Sequence, residues 1–195
     1  MQEKTSRGER QWPFVFIAGG CRSGKSAFAQ KLAEHFSSGG LYIATAWAVD
    51  AEMSERIRLH RELRGKNWRV YECPPANGTQ LAETLPGIVR QGESVLFDCL
   101  SLWVAGLMAH DAAPPDFSQQ LEKLLAALQA LPCPVLVVST EVGMGLVPDR
   151  ASGRAFRDMV GLAAQRIART ADTAVLMVSG LPLVLKGNLP ANFPY

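Results

Sequence analysis

The stretch Gly19-Gly20-Cys21-Arg22-Ser23-Gly24-Lys25-Ser26 lies between an apolar run, Phe14–Ala18, and a segment with helical spacing, Lys25–Phe36. It satisfies G-x-x-x-x-G-K-[ST] at every fixed position, in the strand–turn–helix setting that the pattern needs. Glycines let the main chain wrap closely around an anion with its N–H groups turned inward. A helix starting at Lys25 adds about half a positive charge at its N-terminus. Lys25 then reaches the β- and γ-phosphates of a nucleotide, and the Ser26 hydroxyl ligates Mg2+. A glycine-rich turn with an incidental lysine is the plainer alternative, and the flanking strand and helix weigh against it.

Outward from this turn, short apolar runs alternate with helical ones. "LYIAT" (Leu41–Thr45), "SVLFDC" (Ser94–Cys99), "PVLVVST" (Pro134–Thr140) and Ala174–Ser179 read as strands buried on both faces. "WRVYEC" (Trp68–Cys73) is more polar and suits an edge. Helices are expected over Ala51–Leu63 with Asp50 as N-cap, on the Leu81/Leu85/Ile88/Val89 face, after Cys99, over Phe117–Leu131 and over about Gly153–Thr170. The alternation predicts an α/β fold: a mostly parallel sheet flanked by helices on both faces, with the strand C-termini gathered on one ligand-binding edge. The 195 residues suit one domain over 1–195, with a loose arm at 1–12 and an irregular tail at 187–195.

Composition narrows the function classes. Hydrophobic residues at 48% against 19% charged argue for a packed core rather than disorder. A net charge of +2 gives no ground for nucleic-acid binding, and no run is long enough for membrane insertion. The N-terminal segment lacks the apolar stretch of a signal peptide. Cys21, Cys73, Cys99 and Cys133 are too scattered for a zinc site or a disulfide framework, so a cytoplasmic setting is expected.

Three further places carry chemistry. Asp98 ends "VLFD", where an acid would complete a Mg2+ site; capping the helix that follows is its other reading. In "SERIRLHRELRGKNWR", helical spacing puts Met53, Ile57, His60 and Arg64 on one face, with Arg56, Arg58, Arg61 and Arg69 close in sequence. A neutral His60 imidazole can attack an α-phosphorus, and neighbouring cations would keep it neutral and steady the transferring charge. A solvated basic helix with an incidental histidine is the bland alternative. Glu141, in "STEVGMGLVPDR" beyond a buried strand, is placed to position a hydroxyl, take its proton or bind a Mg2+ water, or simply ends the strand.

In order, "GGCRSGKS", "YIATA", "DAEMSERIRLHRELRGKNWRVYE", "VLFDCLSLWV", "EVGMGLVP", "FRDMVGLAAQRIA" and "VSGLPLVLK" resemble the bifunctional adenosylcobinamide kinase/adenosylcobinamide-phosphate guanylyltransferases of cobalamin biosynthesis. That resemblance implies a P-loop, RecA-like fold and a homotrimer. It implies phosphorylation of the aminopropanol hydroxyl of adenosylcobinamide by ATP or GTP, then GMP transfer from GTP through a histidine that maps to His60. It also implies that Gly19–Ser26 hold the nucleotide phosphates, and that Thr45, Ala46, Arg61, Arg64, Glu72 and Asp98 fall in nucleotide-contacting segments. Thr140 and Ala164 stand where many members have asparagine, which bears on substrate-side contacts. Two other classes stay open on the residues alone: a plain P-loop small-molecule kinase and a nucleotide-driven switch.

Overall fold

The computed structural model describes residues 11–48, 50–109 and 116–194, with the side chains of Arg56, His60 and Leu63 left aside. The expected arm (apart from Gln11 and Trp12), His110, most of the "HDAAPPD" loop and Tyr195 lie outside the described residues. The chain runs β1 (Phe14–Gly19), α1 (Lys25–Phe36), β2 (Gly40–Ala44), α2 (Ala51–Leu63), β3 (Trp68–Glu72), a 3-10 turn at Pro75–Asn77 and α3 (Leu81–Ile88). It continues with β4 (Ser94–Asp98), α4 (Leu100–Met108), α5 (Phe117–Ala130), β5 (Val135–Thr140), α6 (Ala151–Thr170), β6 (Thr173–Val178) and β7 (Leu181–Lys186).

The sheet order is β3-β2-β4-β5-β1-β6-β7. All pairings are parallel except β6 with β7. Right-handed crossovers fix which face each helix covers. The links β1-α1-β2 and β2-α2-β3 run towards the β3 edge, whereas the links through α3, α4, α5 and α6 run the other way. So α1 and α2 take one face and the remaining helices take the other. Residue alternation agrees. Val15, Ile17, Leu96 and Leu136 pack with Phe28 and Leu32 of α1. Phe14, Phe16, Phe97 and Val137 pack with Leu85, Val104, Leu125 and Val160 of the opposite layer.

Three expectations change. A seventh strand, β7, returns antiparallel after Val178; Ser179 and Gly180 turn the chain with φ of 52° and 84°, the two positive values of a type I′ hairpin. Pro182 is tolerated there because β7 is an edge strand. The late helix starts at Ala151, two residues early, where Arg154 reaches back to the carbonyls of Pro148 (3.0 Å) and Asp149 (2.7 Å). The Asp98 capping reading fails, since Cys99 occupies the N-cap of α4 and no side chain caps that helix.

Candidate functional site

β1, β2, β4 and β5 end on one edge, and the glycine turn rises from the middle of it. Gly24 is the N-cap of α1 at φ 88°, a left-handed conformation that a Cβ would strain. Arg22 is left-handed too, at φ 55°. Such strain in a non-glycine residue is concentrated at functional sites. Gly19 admits no side chain, since a Cβ would lie 2.5 Å from Ser23 Oγ and 2.8 Å from the Met177 carbonyl. No side chain caps α1 and its first turn holds no acid, so the leading N–H groups stay open to an anion.

The side chains of the turn agree. Lys25 is 8% exposed, and its ammonium rests on the Gly20 carbonyl at 3.2 Å. Ser23 is equally buried, yet its hydroxyl finds no partner among the described residues. A buried polar group left unsatisfied costs about 1–3 kcal/mol, which an arriving phosphate oxygen would remove. Cys21 is exposed on the outside of the turn and Ser26 is half-buried. The hairpin turn steadies the loop, with the Gly180 N–H donating to the Ser23 carbonyl at 3.1 Å.

Asp98 faces the α1 side of the sheet. It pairs in register with Val138, which pairs with Ile17, so roughly 10 Å of sheet separate it from β1. The Tyr42 hydroxyl donates to Asp98 Oδ2 at 2.5 Å. Burial first, and then the Asp98 charge, hold the Tyr42 phenol far above the ordinary tyrosine range, so it stays a donor. Beneath Asp98, Thr45 is buried and doubly engaged: its hydroxyl donates to the Cys99 carbonyl (2.8 Å) and accepts from the Cys99 N–H (2.7 Å). Thr45 therefore joins the ends of β2 and β4, while Ala46 just beyond is half-buried. The Cys99 thiol is pushed up to about 11, mainly by burial and further by Asp98, with the Lys25 ammonium opposing.

Helix α2 begins at Asp50, whose carboxylate accepts from the Met53 N–H at 2.7 Å. Met53 and Ile57 are half-buried on one face, and none of its described side chains is fully buried. The backbone places His60 on that same face, one turn before Arg64 at the helix end. The arginine cluster divides. Arg58 binds Glu55 and Glu62 on the solvent side. Arg69 forms a two-pronged pair with Glu93 at the opposite edge of the sheet, far from the glycine turn. Arg61 pairs with Glu72 at 2.9 Å, both exposed. Arg64 lies over the Tyr42 ring, 3.8 Å from Cζ to centroid. Its Nε and Nη1 are buried with no hydrogen-bond partner among the described residues. Sequence reasoning missed Tyr42, whose only signal was a phenol within an apolar strand.

Glu141 is tied to the turn through its backbone N–H, which donates to the Gly19 carbonyl at 2.9 Å. Its carboxylate accepts from the Gly143 N–H at 2.5 Å. No group of three His, Cys, Asp or Glu side chains suited to a metal occurs among the described residues. Mg2+ sites built from one or two protein oxygens plus phosphate and water do not need one, and a serine hydroxyl and a carboxylate are oxygen donors of the kind that ion takes. No described helix is long and apolar enough to cross a membrane.

Residues 15–185 match the family model described as cobinamide kinase / cobinamide phosphate guanyltransferase. The chain is 41% identical over 171 residues to the bifunctional adenosylcobalamin biosynthesis protein CobP of Pseudomonas aeruginosa, covering 88% of this chain and 96% of that protein. It is 35% identical over 184 residues to the corresponding protein CobU of Escherichia coli K12, covering 88% and 99%. Among solved structures, an ATPase of a bacterial type III secretion system superposes with a TM-score of 0.50 at 14% identity, over 84% of this chain and 51% of that one. At that identity the likeness speaks for the fold alone, a mostly parallel sheet flanked by helices.

Proposed function

The chain belongs to the cobinamide kinase / cobinamide phosphate guanyltransferase family, and from that membership we propose that one nucleotide site serves two successive reactions, the second through a guanylylated His60. The enzyme phosphorylates cobinamide and then transfers a guanylyl group to the phosphate, in cobalamin biosynthesis.

In the kinase step, the aminopropanol hydroxyl oxygen of adenosylcobinamide attacks the γ-phosphorus of ATP or GTP. The bond from that phosphorus to the β–γ bridging oxygen breaks, and the nucleoside diphosphate leaves. Glu141, anchored beside Gly19, takes the hydroxyl proton. The turn amides, Ser23 and Lys25 hold the phosphate oxygens, with Lys25 exchanging the Gly20 carbonyl for the moving charge. Ser26 and Asp98 would hold Mg2+, which supplies charge neutralisation across the β- and γ-phosphates.

In the guanylyl step, neutral His60 attacks the α-phosphorus of GTP and pyrophosphate leaves. A phosphate oxygen of adenosylcobinamide phosphate then displaces the histidine, giving adenosylcobinamide-GDP. Arg64 offers its open N–H groups to phosphate oxygens, and Arg61 can do so once it leaves Glu72. The family resemblance also supports a cytoplasmic homotrimer.

The observation that carries this reading is the glycine turn's own supply of donors: Ser23 Oγ, buried with no partner among the described residues, and the buried Lys25 ammonium resting on a single carbonyl. Both suit a bound polyphosphate. Separate assays of the two steps test it. His60→Ala should abolish guanylyl transfer and leave phosphorylation within about threefold, because a covalent nucleophile has no substitute while the kinase step does not use it. Undiminished guanylyl transfer by that variant would overturn the assignment.

A further inference from the structure

Two parts of the site lie on opposite sides of one residue. Asp98, at the end of β4, receives the Tyr42 hydroxyl. Arg64, which ends the helix carrying His60, lies over the ring of the same phenol, 3.8 Å from Cζ to centroid. Tyr42 sits mid-strand in β2, and its ring edge is also packed against Trp68, with centroids 6.3 Å apart. Trp68 is fixed in turn by its indole N–H to Glu34 of α1, at 2.9 Å. The phenol is therefore held rigidly by the sheet and by α1, whereas α2 has no fully buried described side chain to anchor it.

We propose that Tyr42 is a positioning residue for both reactions: its hydroxyl aims the Asp98 carboxylate in the kinase step, and its ring seats Arg64, and with it the C-terminal end of α2, for guanylyl transfer. The ring meets the Arg64 guanidinium, whereas the hydroxyl meets Asp98 first and also feels the Arg64 charge. The hydroxyl occupies one Asp98 oxygen and leaves the other free of hydrogen bonds among the described residues, so the carboxylate can turn only one lone-pair edge to the phosphate side. The ring seats the guanidinium while Nε and Nη1 have no partners among the described residues. A flat cation held in this way meets a phosphate edge with no search over rotamers.

The inference rests on the reading of Asp98 as a kinase-site carboxylate, so Asp98→Asn is run beside it. Tyr42→Phe removes the hydroxyl and keeps the ring; Tyr42→Leu removes both. Three quantities are measured: kcat and KM for phosphorylation, the rate of guanylyl transfer from GTP to adenosylcobinamide phosphate, and the affinity for a non-hydrolysable ATP analogue with and without Mg2+. Loss of a group that orients a ligating carboxylate costs roughly 10–100-fold. Tyr42→Phe is expected to lower the kinase kcat about tenfold and to erase most of the Mg2+-dependent gain in analogue affinity, with KM for ATP rising by the same factor. Guanylyl transfer at saturating GTP falls by no more than about threefold. Tyr42→Leu is expected to lower guanylyl transfer tenfold or more as well, and to weaken analogue binding without Mg2+. Equal losses of both reactions in Tyr42→Phe, or a Mg2+-dependent gain as large as in the parent protein, would overturn the proposal. An Asp98→Asn variant with full kinase activity would instead overturn the reading of Asp98 beneath it.

Discussion

Replacing Thr45 by valine tests how the catalytic edge is held together. The hydroxyl is 99% buried with its residue and makes two bonds to Cys99, donating to the carbonyl and accepting from the N–H. Valine matches threonine in shape, so little packing is lost. The two bonds are not equivalent. The Cys99 carbonyl also accepts from the Trp103 N–H at 3.1 Å within α4, so it stays satisfied and only a net bond of about 0.5–1.5 kcal/mol disappears. Among the described residues the Cys99 N–H has no second acceptor, so it becomes a buried orphan costing about 1–3 kcal/mol. The sum is about 1.5–4.5 kcal/mol. For a chain of this length each kcal/mol shifts Tm by about 2–4 °C, so calorimetry should show a fall of roughly 3–18 °C. Thr45→Ser, which keeps the hydroxyl, should recover most of it. Because Cys99 follows Asp98 directly, kinase activity should also fall in the valine variant at temperatures where it remains folded. A Tm within 2 °C of the parent protein, or a serine variant as unstable as the valine one, would refute the reasoning.

Other perturbations separate the phosphate site from the frame. Lys25→Ala should reduce kinase kcat by 100-fold or more, since it removes the mobile cation facing the transferred phosphoryl group, while Tm changes by only a few degrees; near-normal phosphorylation would exclude that role. Glu93 accepts from Arg69 and from the Arg90 N–H, and Arg69 above all holds its carboxyl below the usual glutamate range. A depressed folded-state value stabilises the protein above the ordinary carboxylate range and is lost as pH falls through the folded value. Glu93→Gln should therefore cost about 1–2 kcal/mol at pH 7, and the gap in Tm should close on acidification; a gap that persists at low pH would count against the ion pair as its source.

The fold was legible in places where one residue's chemistry sets the backbone. Gly24 and the missing side-chain cap fix the start of α1 at Lys25, and "SSGG" ends it at Phe36. Asp50 sets the start of α2 by accepting the Met53 N–H. The polar run Trp68–Cys73 marked β3 as an edge strand, where it lies. β7 escaped because Leu181–Lys186 has no alternation and contains a proline, and because Ser-Gly is a weaker I′ turn signal than Asn-Gly. The glycine turn was legible because its residues are consecutive. The Tyr42–Asp98, Arg64–Tyr42 and Thr45–Cys99 contacts were not. They join different elements, and nothing local in the chain records which strand ends meet. The partners of Arg58 and Arg69 were hidden for the same reason: each is held by a carboxylate that helical spacing or the sheet edge brings to it.

The most direct test of the account is the covalent state of the protein during turnover. Enzyme incubated with GTP and Mg2+, without corrinoid, should show by mass spectrometry one added guanylyl group per chain. The group should map to His60, be labile to acid and stable to alkali, and be discharged by adenosylcobinamide phosphate. Product formation from a chain that never carries the adduct would contradict it.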